Sequence, residues 1–219
     1  MLIWVGKIDS MTPQDYIMLA LLWVAYCVIH SALISVTVTD LLKRALGDNY
    51  RFHRLFFNIF SVTTLVPLLM YSHSARWKTE LLFAWEGYVQ IIQYSLMALG
   101  VILAIAATRH YNMFQFLGIQ QILKRRSATA MTESGEFDSS GVLGIVRHPW
   151  YLAVFILLWS GDLSLAGLII NLVLSAYLLI GTFLEERKLV LEFGEKYEAY
   201  QRRVSMLIPL KWLRSRLPI

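Results

Sequence analysis

Four stretches of this chain run for about twenty residues or more with almost no charge, and no other feature restricts its fold as much. They cover about residues 16–38, 55–73, 88–107 and 150–184. A bilayer's hydrocarbon core is roughly 30 Å thick, which an α-helix crosses in about 20 apolar residues, and inside it every backbone N–H and C=O must find a partner within the protein. Helices meet that condition segment by segment. The composition agrees: 57% of the 219 residues are hydrophobic, 16% are charged, and the mean hydropathy is +0.55, well above that of an ordinary soluble domain. The longest stretch is interrupted by Ser160, Gly161 and Asp162, which predicts two helices folded back as a hairpin. The expectation is an all-α polytopic integral membrane protein of about five transmembrane helices. It forms a single membrane domain over 1–219, with three spans in 1–108 and a polar loop, the hairpin and a C-terminal site segment in 109–219.

Charge sets the expected orientation. Seventeen of the 20 Lys and Arg residues fall in 41–54, 109–149 and 185–219, and only Lys7, Arg76 and Lys78 fall in the alternate loops. Loops rich in Lys and Arg stay cytoplasmic, so five spans put the N-terminus outside and the C-terminus inside, in a bacterial inner membrane. The formal net charge of +5 is thereby a topology signal; the basic residues hug span ends, which argues against a nucleic-acid surface. The first 16 residues lack the pattern of a removable leader, so the first span is expected to serve as its own targeting signal. Cys27, the single cysteine, lies inside an apolar run with no partner for a disulfide.

Three groups of residues carry chemical potential. Arg147-His148-Pro149-Trp150-Tyr151 stands at the mouth of the fourth span, where Pro149 suits the first helical turn and holds a basic pair at a helix N-terminus. The same pentapeptide also suits a topology-setting arginine with interfacial aromatics. Glu185 and Glu186 close the fifth span, where carboxylates oppose the helix dipole and need compensation. A hairpin brings the start of one span beside the end of the next, so Arg147, His148 and Tyr151 are expected near both glutamates; an interfacial ion pair locking the hairpin is the plainer account, with Tyr197 and Tyr200 packing a surface helix. The third group, residues 114–121, sets Gln120 and Gln121 beside aromatics, which suits an adenine-like ring or an interfacial amphipathic stretch. His148 has no second histidine or cysteine at ligand spacing, and a Ser-His-Asp arrangement lacks its strained turn, so no metal site is expected.

The succession Gly141-x-x-Gly144-x-x-Arg147-His148-Pro149-Trp150-Tyr151, a helical hairpin, Glu185-Glu186-Arg187 and then Phe193-Gly194-x-x-Tyr197-x-x-Tyr200 resembles the isoprenylcysteine carboxyl methyltransferase and phospholipid methyltransferase superfamily over about residues 135–210. His30-Ser31, Tyr50-Arg51, Asn58, residues 116–120 and residues 204–209 are similar to its bacterial methanethiol S-methyltransferase branch. The resemblance implies S-adenosylmethionine as cofactor, held by Gln120, Gly135, Glu136, Phe137, Asp138, His148, Pro149, Tyr151, Glu185 and Glu186. It implies catalytic roles for Arg147, His148 and Glu186. Two positions depart from the pattern: Gly181 stands where isoprenylcysteine methyltransferases have an arginine for the substrate carboxylate, and Leu143 stands where many relatives have tyrosine.

Methyl transfer from a sulfonium needs alignment, a dry pocket and a competent nucleophile more than acid catalysis. The expected acceptor is a small thiol, whose ionisation nearby cations favour, or a lipophilic molecule arriving from the membrane lipid. No nucleic acid and no protein partner is expected. Two rivals belong to other classes: a sterol- or steroid-type reductase using a nicotinamide cofactor, and a small transporter or assembly factor, though the spans contain almost no charge beyond Asp162 to mark an ion path.

Overall fold

The computed structural model of the protein describes residues 11–77, 81–124 and 139–217. Among these, helices α1 (Pro13–Ile34), α2 (Val36–Leu46), α3 (His53–Ser72) and α4 (Gln90–Thr108) form the N-terminal part. Two short helices follow, α5 (Met113–Phe116) and α6 (Ile119–Lys124). The C-terminal part holds α7 (Pro149–Trp159), α8 (Leu165–Phe193), α9 (Glu195–Arg203) and α10 (Leu210–Arg216).

Among the described residues, four helical segments are long and apolar enough to cross a membrane: Pro13–Ile34, Val36–Ser72, Gly87–Thr108 and Leu165–Phe193. Their outer faces expose large apolar side chains such as Leu21, Ile59, Ile102 and Ile180, the pattern of a bundle solvated by lipid. The fifth expected span is short. Helix α7 has 11 residues and rises about 16 Å, roughly half a bilayer core. It is bounded by Pro149 at its start and by the Ser160–Asp162 turn at its end, as the sequence implies. Helix α8 compensates in the other direction, continuing past Leu184 to end at Phe193, where Gly194 adopts a positive φ of 56° that a side chain would disfavour. The two helices form the predicted hairpin about residues 160–164. Asn171 donates to the Leu158 carbonyl at 2.8 Å and the Trp159 indole to Ser175 at 3.0 Å, so polar groups freed near the turn are paired between α7 and α8.

Helix α4 packs on α7 so closely that a Cβ at Gly100 would stand 2.7 Å from the Leu157 side chain, and α1 lies between α3 and α8. Leu19 and Trp23 of α1 meet Ala166 and Trp77 in a buried cluster near the hairpin turn. A two-stranded antiparallel sheet closes that end, β1 (Leu81–Phe83) on β2 (Leu163–Ser164), a small exception to the all-α expectation. Asp162, the charge near the hairpin turn, accepts from the Trp85 backbone N–H at 3.0 Å and stabilises the turn.

At the opposite end, the segment expected as a loop after α4 contains α5 and α6. Arg54 and Asn58 of α3 both donate to the Phe116 carbonyl, at 3.3 and 3.0 Å, and Gly118 turns the chain at φ 87° against the Arg54–Leu55 backbone. A Cβ on Gly118 would approach the Leu55 nitrogen to 2.7 Å. Gly118→Ala is therefore expected to cost about 1–3 kcal/mol and lower the melting temperature of the solubilised protein; an unchanged melting temperature would show that α5 and α6 are not held against α3 in this way.

Candidate active site

The site forms where three segments meet at the end of the hairpin. Residues 146–148 lead into α7 and run beside residues 205–206, with the Arg147 N–H bonded to the Ser205 carbonyl at 2.9 Å and the His148 N–H to Met206 at 3.1 Å. Helix α8 passes alongside, and α9 folds back after Gly194 to bring Tyr197, Tyr200 and Gln201 onto both.

Glu186 is the focus. Its carboxylate accepts from Arg147 Nε at 2.7 Å and Nη2 at 2.6 Å, His148 Nε2 at 2.8 Å, the Tyr197 hydroxyl at 2.9 Å and Gln201 Nε2 at 2.6 Å. An ionised carboxylate has about four lone-pair positions, so five donors saturate it. Because Glu186 accepts from His148 Nε2, that nitrogen carries a proton and the other, Nδ1, points toward Glu185, 3.9 Å away. Arg147 spends its remaining Nη1 on the Gln201 carbonyl at 3.1 Å and on the Val204 carbonyl. Arg147, His148 and Glu186 are 9%, 2% and 7% exposed. The plainer ion-pair account thus holds for Arg147 and Glu186, but in a buried form. Tyr197 and Tyr200 are buried rather than lying on a surface helix; Tyr200 donates to the Leu143 carbonyl at 2.6 Å, and burial together with the Glu186 carboxylate pushes the Tyr197 phenol above its usual range.

Glu185 is one position back along α8, about 100° around the helix, and it faces a different space. A cavity of about 1270 Å³ is bounded by residues of α1, α2, α3, α5, α6, α7 and α8. Glu185 and Tyr151 line it with Tyr111 and Gln121, while Arg147, His148, Pro149 and Glu186 are not among its lining residues. Burial and the Glu185 charge hold the Tyr111 phenol well above its ordinary range, as expected where a carboxylate and a phenol share one dry pocket. Gln121 Nε2 donates to the Gln115 carbonyl at 2.9 Å, which fixes the amide and leaves Oε1 buried without a donor among the described residues. That oxygen is shut off from solvent, so it lies within the cavity wall and not on its open surface. Gly181 borders open space: a Cβ there would meet nothing within 4 Å.

The structure brings together Arg147, His148, Glu185, Glu186 and Tyr151, as the hairpin implied. It puts Gln121 rather than the neighbouring Gln120 in the cavity wall. Gly135, Glu136, Phe137 and Asp138 lie outside the described residues. Tyr111 and Tyr177 escaped the sequence reading because single tyrosines beside apolar runs carry no spacing signal. Among the described residues, no cluster of three His, Cys, Asp or Glu side chains suits a metal ion.

Fold and site together define an all-α polytopic membrane protein with a saturated buried ion pair beside a large cavity. The chain belongs to the NnrU family, whose model, described as NnrU protein, matches residues 18–213. It is similar to methanethiol S-methyltransferases of Crocosphaera subtropica, 37% identical over 121 residues covering 55% of this chain and 47% of that protein, and of Pseudomonas deceptionensis, 37% identical over 116 residues covering 52% and 44%. The protein of that name from Mycobacterium tuberculosis is 29% identical over 140 residues, covering 61% and 56%. The chain spans about half the length of the curated relatives it matches. No solved structure matches it. These relatives agree with the resemblance drawn from the Arg147–Tyr151 and Glu185–Tyr200 motifs.

The two adjacent glutamates are expected to respond differently to neutralisation. Glu186→Gln strands the Arg147 charge in a buried site and should destabilise the fold by about 3–5 kcal/mol, whereas Glu185→Gln should melt close to the parent. Equal melting temperatures for the two variants would contradict the division between a structural and a cavity-facing carboxylate.

Proposed function

We propose that this protein is an integral membrane methyltransferase that uses S-adenosylmethionine and methylates a small thiol. The observation that carries the reading is the cavity bounded by Glu185, Tyr151, Tyr111 and Gln121, in a chain similar to proteins named methanethiol S-methyltransferase. Ligand pockets for drug-sized molecules usually enclose about 300–1,000 Å³, so about 1270 Å³ has room for a nucleoside-sized donor with a small acceptor.

The residues fit such a group. Glu185 accepts from ribose hydroxyl or amino groups. Tyr151 and Tyr111 supply aromatic faces and hydroxyls beside that carboxylate. His148 and the saturated Glu186 hold this wall rigid, and Arg147 fastens it to residues 201–206, so all three position the site. Pro149 starts α7 where Tyr151 can enter the cavity. S-adenosylmethionine, when bound, supplies a methyl group on a positively charged sulfur. The apolar wall of Val154, Phe57, Leu178 and Leu184 keeps water from that carbon, and the absent side chain at Gly181 leaves space for the acceptor. A carboxylate acceptor would lack the arginine that Gly181 replaces, which favours a thiol. The basic end of the bundle is cytoplasmic in this reading, as the Lys and Arg distribution requires of a bacterial inner-membrane protein.

Titration of the detergent-solubilised protein with S-adenosylmethionine and S-adenosylhomocysteine tests the proposal. Saturable binding is expected, weakened at least about tenfold in Glu185→Gln, while Gly181→Leu, whose Cβ would meet nothing within 4 Å, should keep nucleoside binding and lose methyl transfer to the thiol. Folded parent protein that binds neither nucleoside, or binds a nicotinamide dinucleotide instead, would overturn it.

A further inference from the structure

A second polar cluster lies in the same cavity, away from the Glu185 wall. His30 and Ser31 of α1, Phe57 of α3 and Tyr177 of α8 all line it. Tyr177 and Glu185 are separated by two turns of α8, or about 12 Å, with Leu178, Gly181 and Leu184 lining the cavity between them. The α8 wall between the two is apolar, while Asp48, Arg51, Arg54 and Asn58 line the cavity from another side. An ionisable side chain within a membrane span is costly and calls for an explanation.

The hydrogen bonds around His30 define its protonation. Ser61 is 9% exposed, and its single hydroxyl proton goes to the Phe57 carbonyl at 2.7 Å. The Ser61 oxygen is also 3.1 Å from His30 Nδ1. With its proton committed, Ser61 can only accept there, so neutral His30 carries its proton on Nδ1 and a lone pair on Nε2. Aromatic rings hold the imidazole on three sides: Phe57 at 4.8 Å, Tyr26 at 5.8 Å and Tyr177 at 6.2 Å. Ser31 donates to the Tyr177 hydroxyl oxygen at 3.4 Å, which leaves the phenolic proton to act as a donor. The cluster therefore presents one base and one donor in an apolar wall.

From this geometry we propose that His30 is the catalytic base that removes the proton of a small, uncharged thiol, with Tyr177 donating to the sulfur. The inference rests on the methyltransferase reading above. An alkyl thiol is mostly protonated at neutral pH, and the thiolate is the nucleophile. His30 Nε2 takes the S–H proton as a sulfur lone pair forms the new S–CH3 bond. The methyl carbon leaves the donor's sulfonium, whose C–S bonding pair stays on the donor sulfur as a neutral thioether. The imidazolium then releases its proton to water as the product departs. The ionisable neighbours of this cluster are Tyr26 and Cys27 on α1, His53 and Arg54 on α3 and Tyr177 on α8. His53 is an unsuitable base: it stacks flat on Tyr50 at 5.1 Å, and its Nε2 is sealed from solvent.

The test separates this inference from the reading beneath it. His30→Gln should bind S-adenosylhomocysteine within about twofold of the parent but lose about 10²–10⁴-fold in kcat/KM with methanethiol. With 4-nitrothiophenol, already ionised at neutral pH, the loss should be under about tenfold, because no proton has to be removed. An equal loss with both thiols, or no loss with either, overturns the role of His30 while leaving the methyltransferase intact; absence of nucleoside binding in the parent overturns the reading itself. A readout free of donor and turnover is 15N NMR of histidine-labelled parent protein, which should show His30 protonated on Nδ1 and bare on Nε2, with that bias lost in Ser61→Ala. The opposite tautomer in the parent overturns the proposal even if His30→Gln fails to fold.

Discussion

The Glu186 carboxylate, buried and saturated by five donors, is the constraint on which the rest of the site depends. A charge at the end of an apolar helix would carry a desolvation penalty of several kcal/mol, and only a bidentate guanidinium with further hydrogen bonds offsets it. Meeting that demand requires Arg147 and His148 from the segment before α7 and Tyr197 and Gln201 from α9. Three parts of the chain are thereby brought to one point. Arg147 and His148 also bond through their backbone N–H groups to the Ser205 and Met206 carbonyls, which fixes the point where α7 begins.

Once Glu186 is committed inward, α-helical geometry turns Glu185 toward the cavity. The two carboxylates, identical in chemistry and adjacent in the chain, have different surroundings: one has no lone pair to spare, and the other faces Tyr111, Tyr151 and open volume. Rigidity behind the wall and free acceptor capacity on it are complementary, because a ligand-facing group is only as well placed as the packing that supports it. The cavity's remote cluster around His30 follows a related logic. There Ser61 and the surrounding rings orient a single imidazole.

Much of this was legible in the chain. Apolar runs of spanning length located α1, α3, α4 and α8, because only a helix satisfies its own backbone in hydrocarbon. Ser160, Gly161 and Asp162 located the hairpin turn, Pro149 the start of α7, and the two motifs at its far end the convergence of Arg147, His148 and the glutamates. The continuation of α8 past Leu184 to Phe193 was not legible, because the charged residues 185–188 end the apolar pattern without ending the helix. Nor was the choice of Gln121 over Gln120, which depends on which face of the short α6 meets the cavity.

The sequence by itself determined that the protein lives in a membrane, that its basic residues gather at one end, and that a charged motif pair meets across a hairpin. These are consequences of local composition, periodicity and chain order. Only the tertiary structure decided which glutamate anchors and which faces the cavity, that Tyr111 and Tyr177 join the same cavity, and which rings surround His30. Those properties arise from packing between α1, α3, α7, α8 and α9, where a difference of one residue rotates a side chain by about 100° and exchanges a saturated interior for an open wall.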